Sequence, residues 1–238
     1  MPDSPPSCDI CGGPGWITRA GSLRAEPCVC QKDLKRKQRI AASRIPKRYL
    51  HCQLSGFHDR SDVSLGAAKR RVADFIDCWP ADDRGLLLMG GSGVGKTHLA
   101  VATIVEIIDQ EKPGKLLFRN FQELVQDIQF SFDSSDTPKK AEILQPLIDA
   151  DLLVLDELGS QKPTPFVQDI LYYIINSRYN DVKATIFTTN YLDDPRASGE
   201  ERLEDRIGAR LRSRLFEMAH PVLITARDDY RKSLGRSV

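Results

Sequence analysis

The eight residues Gly90-Gly91-Ser92-Gly93-Val94-Gly95-Lys96-Thr97 constrain this chain more than any other stretch, because they match the pattern G-x-x-x-x-G-K-[ST] in full. Leu86-Leu87-Leu88-Met89, just before, reads as a fully buried strand. Leu99 to Ile108, just after, reads as a helix packed on a sheet. Such a loop wraps a phosphate with backbone N–H groups, and the helix beginning near Gly95 adds the positive end of its dipole. Lys96 then supplies a point charge to the β- and γ-phosphates of a nucleotide, and the Thr97 hydroxyl is placed to ligate Mg²⁺. His98 follows directly and is grouped with the nucleotide-binding residues.

A second signature reinforces the first. Leu152-Leu153-Val154-Leu155-Asp156-Glu157 is a buried strand ending in two adjacent carboxylates. In this Walker B arrangement Asp156 holds Mg²⁺, usually through water, while Glu157 polarises the water that attacks the γ-phosphate. Adjacent side chains on a strand point opposite ways, so the pair is informative because the strand ends there. Ala184 to Asn190 is a β-branched strand closing on an amide. Asn190 reads as a hydrogen-bond donor to the γ-phosphate or the lytic water, or alternatively as a turn former.

Around these motifs the chain alternates. A helix is expected over Gly66 to Trp79, with Ala67, Val72, Phe75 and Ile76 on its apolar side, and a short strand over Lys115 to Arg119. Asn120 is placed to cap a helix carrying Phe121, Leu124, Val125 and Ile128. Ser131 to Lys140 reads as a loop, with Pro138 opening a helix that runs to about Asp149. Phe166 to Tyr179 is a core-facing helix through Ile170, Leu171, Ile174 and Ile175, and Leu192 to Gly199 a loop. Glu200 to Leu215 is expected as one helix carrying Arg202, Arg206, Arg210, Arg212 and Arg214. A last strand, Val222 to Thr225, precedes a terminal helix from Asp228. Strands alternating with helices give an α/β fold, a parallel sheet covered on both faces.

The N-terminal stretch follows another logic. Cys8-Asp9-Ile10-Cys11 and Cys28-Val29-Cys30 are two close thiol pairs, the way a small unit builds a tetrahedral Zn²⁺ site. The second pair is C-x-C rather than C-x-x-C, so His51 or Cys52 stands as an alternative fourth ligand. Cys52 and Cys78 otherwise read as small buried or half-buried apolar residues. A segment this short builds no core of its own, and metal binding would supply its folding energy. Residues 1–31 are therefore expected to form a zinc module, 32–60 a basic helix and linker, and 61–238 the nucleotide-binding domain. Lys32, Lys35, Arg36, Lys37, Arg39, Arg44, Lys47 and Arg48 face a single acid, Asp33. That run is a solvated helix face or a contact with nucleic acid or a partner protein. Ile45 to Phe57 reads as an extended bridge into the next unit.

Over 238 residues, 34 basic and 33 acidic side chains leave a net charge of +1, so no global field draws the protein onto nucleic acid and any such binding is local. The first residues lack a basic and an apolar leader region, and no run approaches a membrane span. A cytoplasmic protein without a membrane partner is expected.

The phosphate-binding loop, the Asp156-Glu157 pair, Asn190 at the sensor 1 position and Arg206-Ile207-Gly208-Ala209-Arg210-Leu211-Arg212-Ser213-Arg214-Leu215 in the place of box VII together resemble an AAA+ ATPase. More narrowly, Gly95 to Ala100, Leu155-Asp156-Glu157-Leu158-Gly159 and Thr188-Thr189-Asn190-Tyr191 resemble the bacterial replicative helicase loaders of the DnaC/DnaI type, whose motifs the IstB-type transposition helpers share. The resemblance covers residues 45 to 238. It implies an AAA+ fold with the C-terminal lid absent or vestigial, and an ATPase stimulated by DNA and by oligomerisation. It also implies Arg214 as arginine finger with Arg210 beside it, both reaching the nucleotide of a neighbouring subunit, and Arg231 at the sensor 2 position. The implied partners are a replicative helicase, single-stranded DNA and further copies of the chain in a partial ring or spiral. For the IstB type they would be a transposase and duplex DNA.

Overall fold

The computed structural model describes residues 8–18, 24–59, 61–133, 137–194, 199–226 and 230. The chain divides into two compact units, Met1–Ala42 and Ser43–Val238. In the first, β1 (Trp16–Thr18) pairs antiparallel with β2 (Ala25–Pro27), Trp16 opposite Pro27, and α1 (Val29–Ala42) follows. No residue of α1 is buried, so this unit holds itself together by something other than an apolar core.

The second unit is built on a sheet. Its elements are α2 (Val63–Cys78), β3 (Gly85–Gly90), α3 (Lys96–Asp109), β4 (Leu116–Asn120), α4 (Phe121–Asp133), α5 (Thr137–Asp149), β5 (Leu152–Asp156), α6 (Pro165–Asn180), β6 (Thr185–Thr189), α7 (Leu203–Ile207), α8 (Ala209–Met218) and β7 (Ala219–Ile224). The strand order is β4-β5-β6-β3-β7, all pairs parallel, with Leu88 level with Thr188 and Leu155 level with Phe187. Strand residues alternate between faces. Leu87, Met89, Leu153, Leu155 and Phe187 pack under α4, α6 and α8 in one continuous core, while α2 and α3 cover the opposite face. The expected two-sided α/β sheet is therefore present. β3 is buried along its whole length because both neighbours and both helix layers close over it.

Several local expectations are corrected. Of the loop expected over 131–140, residues 131–133 belong to α4 and residues 137–140 to α5. The single helix over 200–215 is two helices, because Gly208 takes φ 86°, ψ 152°, a conformation no helix contains. On α2 it is Ala68, not Ala67, that is buried, and Cys78 is exposed whereas Cys52 is 2% exposed. The 43–59 segment is no extended bridge. Pro46 precedes a single 3₁₀ turn, Lys47–Tyr49, and Ile45, Cys52 and Phe57 are buried in the second unit. Its backbone is paired as well: Phe118 N donates to Ser43 O, and Lys69 Nζ to Phe57 O. Tyr230 is the one described residue of the expected terminal helix, and Arg231 lies outside the described residues. Among the described residues, no helix is long and apolar enough to cross a membrane.

Candidate nucleotide site

The C-terminal ends of β3, β5 and β6 lie side by side, and the phosphate-binding loop leaves the first of them. Gly95 ends that loop at φ 97°, where a Cβ would come 2.6 Å from the Phe57 ring, so the turn into α3 admits no larger residue. Of the loop, Val94 is buried and Gly91 and Ser92 are exposed. Lys96 sits at the first turn of α3, 7% exposed. Its Nζ donates to Gly90 O (2.9 Å), Gly91 O (2.6 Å) and Asn190 Oδ1 (2.7 Å). The ammonium is thus held at the mouth of the loop, and the strand-end amide is aimed at it.

Thr97 Oγ1 donates to Asp156 Oδ1 at 2.9 Å, and Thr188 Oγ1 donates to the same oxygen at 2.6 Å. Asp156 is 2% exposed. Burial pushes its carboxyl above the ordinary carboxylate value, against the pull of the Thr188 and Thr97 hydroxyls. A buried carboxylate adjoining a hydroxyl is a donor set that fits Mg²⁺, a hard cation that takes oxygen ligands. The strand stops at Asp156, and Glu157 turns away with φ 59°. Its N–H donates to Thr188 Oγ1 (2.9 Å), and its Oε2 accepts from Asn120 Nδ2 (3.1 Å). Asn120 also caps α4, its Oδ1 accepting from Gln122 N and Glu123 N, as its position predicts.

The structure thus brings together Gly90 to Thr97, Asp156, Glu157 and Asn190. His98 is held elsewhere: its Nε2 lies 2.8 Å from Gln53 O, its ring packs by Phe57, and burial keeps its imidazole below the usual histidine value. Arg210 and Arg214, on α8, stack on α6, where Arg210 lies over the Tyr172 ring and Arg214 over the Tyr179 ring. Tyr230 N donates to Gly93 O at 3.1 Å, which brings Tyr230 to the loop.

Three site residues escaped the sequence reading. Thr188 donates to the Asp156 carboxylate and accepts from the Glu157 N–H, and its signal was a hydroxyl pair, Thr188-Thr189, ending the strand. Asn120 was read only as a cap. Arg206 was one arginine among five, yet it stacks on Tyr191 and donates to Gly159 O (2.8 Å) and Ser160 O (3.1 Å), tying the loop after Glu157 to the loop after Asn190.

In the first unit, the sulfurs of Cys8, Cys11, Cys28 and Cys30 lie within 4.8 Å of one another. Cys8–Cys28 and Cys11–Cys30 are 3.7 and 3.6 Å apart. A tetrahedron with Zn–S of about 2.3 Å has edges of about 3.8 Å, so the thiols fit Zn²⁺. Desolvation and the neighbouring thiols push Cys30 up to about 12, while backbone N–H groups, that of Gly13 first, bring Cys11 down to about 7. The set is complete within the first unit, and Cys52, a candidate alternative, belongs to the apolar core of the second.

Set beside known proteins, the chain matches the family described as "IstB-like ATP binding protein" over residues 25–235. It is 26% identical over 224 residues to the replicative helicase loader DnaI of Bacillus subtilis (strain 168), covering 88% of this chain and 70% of that protein. It is 25% identical over 179 residues to the replicative helicase loader DnaC of Buchnera aphidicola subsp. Acyrthosiphon pisum (strain APS), covering 74% and 70%. A crystal structure of the DnaC helicase loader superposes with TM-score 0.64 at 32% identity, covering 75% of this chain and 99% of that one. With that family match spanning both nucleotide motifs, and with the motifs assembled into one site, the chain belongs to the IstB-like ATP binding proteins.

Proposed function

We propose that this protein hydrolyses ATP and uses the cycle to place a replicative helicase on single-stranded DNA. The observation that carries the hydrolytic half is the pairing of a buried Asp156 on Thr97 with a Glu157 turned out of the strand and held by Asn120. The relatives named replicative helicase loaders support the other half. In this reading Thr97 and Asp156 hold Mg²⁺, which when bound neutralises phosphate charge. Lys96 exchanges its carbonyl partners for phosphate oxygens, Glu157 takes the proton of the attacking water, and Asn190 fixes the γ-phosphate or that water. Arg214, with Arg210, reaches the nucleotide of a second copy. An arginine supplied in this way is worth about 10³–10⁵ in rate, so an isolated copy binds ATP and scarcely turns it over. The four-cysteine unit carries Zn²⁺ and, with the basic helix after it, grips the helicase.

The family description favours a second reading, an IstB-type helper that acts with a transposase on duplex DNA. One experiment separates the two. ATP turnover by the full chain is measured across protein concentration with single-stranded DNA, duplex DNA or none, and the protein is then used to capture a replicative helicase. Turnover per subunit that rises with concentration and with single-stranded DNA, together with helicase capture, is the expected result. Stimulation by duplex alone transfers the protein to the transposition reading. Turnover indifferent to both concentration and DNA rejects the intersubunit site.

A further inference from the structure

Tyr172 and Tyr179 stand two turns apart on α6, and Arg210 and Arg214 one turn apart on α8. The guanidinium of Arg210 lies 4.4 Å from the centre of the Tyr172 ring, and that of Arg214 lies 3.9 Å from the centre of the Tyr179 ring. Hydrogen bonding to Arg214 first, and then to Arg210, holds the Tyr172 hydroxyl below the ordinary phenol value. Arg214 Nη1 also donates to Glu217 Oε2 at 2.7 Å, one turn further along the same helix.

These stacks are not what joins α8 to the fold. Leu211, Leu215 and Met218 form the buried stripe of α8, and the two arginines lie beside it, with Arg210 exposed and Tyr179 38% exposed. Two aromatic rings spent on holding two cations at a surface need another reason. A long arginine side chain that must meet a phosphate on a neighbouring molecule loses its rotamer freedom when it does so, unless that freedom is already gone. A ring face removes the freedom while leaving the N–H fork open to a phosphate.

We infer that Tyr172 and Tyr179 are positioning residues that hold Arg210 and Arg214 in a fixed pair for the phosphates of a second copy of this chain. The inference rests on the intersubunit reading of Arg214 given above. The tyrosines act through the arginines. The rings set the direction of the pair.

The test uses the full chain and four variants: Tyr172→Leu with Tyr179→Leu, Tyr172→Phe with Tyr179→Phe, Tyr179→Leu alone, and Arg214→Ala as reference. The Leu pair is expected to lose about tenfold of the concentration-dependent turnover while ATP binding is unchanged. The Phe pair keeps the ring faces and is expected to lose no more than about threefold. Tyr179→Leu alters an exposed side and keeps the protein folded even where the double change does not; it is expected to lose about threefold. Mixing supplies a readout that a packing defect would not move. Glu157→Gln subunits have no working site of their own but intact arginines, so adding them to either Leu variant restores turnover, whereas adding Arg214→Ala subunits does not. Leu variants as active as the unsubstituted protein beside a dead Arg214→Ala overturn the clamp and leave the intersubunit arginine standing, as does turnover lost from Tyr179→Leu that mixing fails to restore. An active Arg214→Ala overturns the underlying reading instead.

Discussion

Glu157 follows directly on Asp156, and on an uninterrupted strand the two side chains would point to opposite faces. A backbone turn and two hydrogen bonds bring Glu157 round. Its backbone enters the left-handed region at φ 59°, its N–H is satisfied by Thr188 Oγ1, and its carboxylate is tied to Asn120 Nδ2. A non-glycine residue in that region costs about 1–3 kcal/mol, and it persists where the surroundings over-determine it, as they do here. The consequence is testable at this one residue. Glu157→Gln keeps an oxygen for Asn120 and the same shape, and removes the base. ATP binding is expected to stay within about threefold while turnover falls by about 10²–10⁴. Nucleotide titration beside single-turnover hydrolysis checks it, and a variant that still hydrolyses would assign the base elsewhere.

Between elements, the cost of burying polar groups decides the design. The last carbonyls of α5 have no helical partner, and two cations supply one. Arg178, 0% exposed, donates to Leu147 O (2.8 Å), Ala150 O (2.6 Å), Ala184 O (2.6 Å) and Thr185 Oγ1 (2.9 Å). Lys183 Nζ takes Ile148 O and Asp149 O. Burial pushes the Arg178 guanidinium down to about 9, with Asp151 and Asp181 pulling the other way, so it remains a cation at neutral pH. Arg178→Ala orphans several buried carbonyls at about 1–3 kcal/mol each and leaves a cavity, for a loss of about 3–5 kcal/mol. A fall in melting temperature of about 10 °C is expected, and a shift under about 3 °C would show that the carbonyls find other partners. Gly208 separates α7 from α8. A Cβ there meets nothing within 4 Å, so the cost of Gly208→Ala is backbone strain alone, about 1–3 kcal/mol. The same change is expected to extend α7 into α8, turn the arginines off α6 and lower turnover more than stability, as kinetics and melting measured together will show. Both features bear on what a sequence discloses. The strands, the helices around them and the phosphate loop were legible because buried runs and glycine spacing encode them locally. The break at Gly208 was not, since the flanking residues all suit a helix. Nor was Arg178, which falls on the apolar stripe of Leu171, Ile174 and Ile175, where its partners come from elements 28 to 31 residues upstream and 6 to 7 downstream.

At the scale of the molecule, two units fold by two different means. Ser43–Val238 has a continuous apolar core under its sheet, and the nucleotide motifs are set into it. Met1–Ala42 has two paired three-residue strands and a helix with no buried residue, and gathers four sulfurs within 4.8 Å of one another. The cysteine pairs and their proximity were readable from spacing, but that α1 starts within the second pair was not, since Cys30 serves both the cluster and the first turn of the helix. Structural zinc sites in small peptides contribute apparent binding energies of about 10–16 kcal/mol, far more than two short strands supply. Removing the metal should therefore act on one unit and spare the other. Chelation of the zinc-loaded full chain, or Cys28→Ser, is expected to abolish helicase capture and shorten the protected part of the chain to the region after residue 42 in limited proteolysis. ATP binding should stay within about twofold, because Gly90, Gly91, Asn190 and Thr188, which hydrogen-bond Lys96 and Asp156, belong to the second unit, as do Thr97 and Asp156 themselves. If ATP binding falls in step with zinc loss, the two units are coupled through the nucleotide site. If proteolysis is unchanged by chelation, the first unit does not depend on metal for its fold, and the cluster is a set of free thiols.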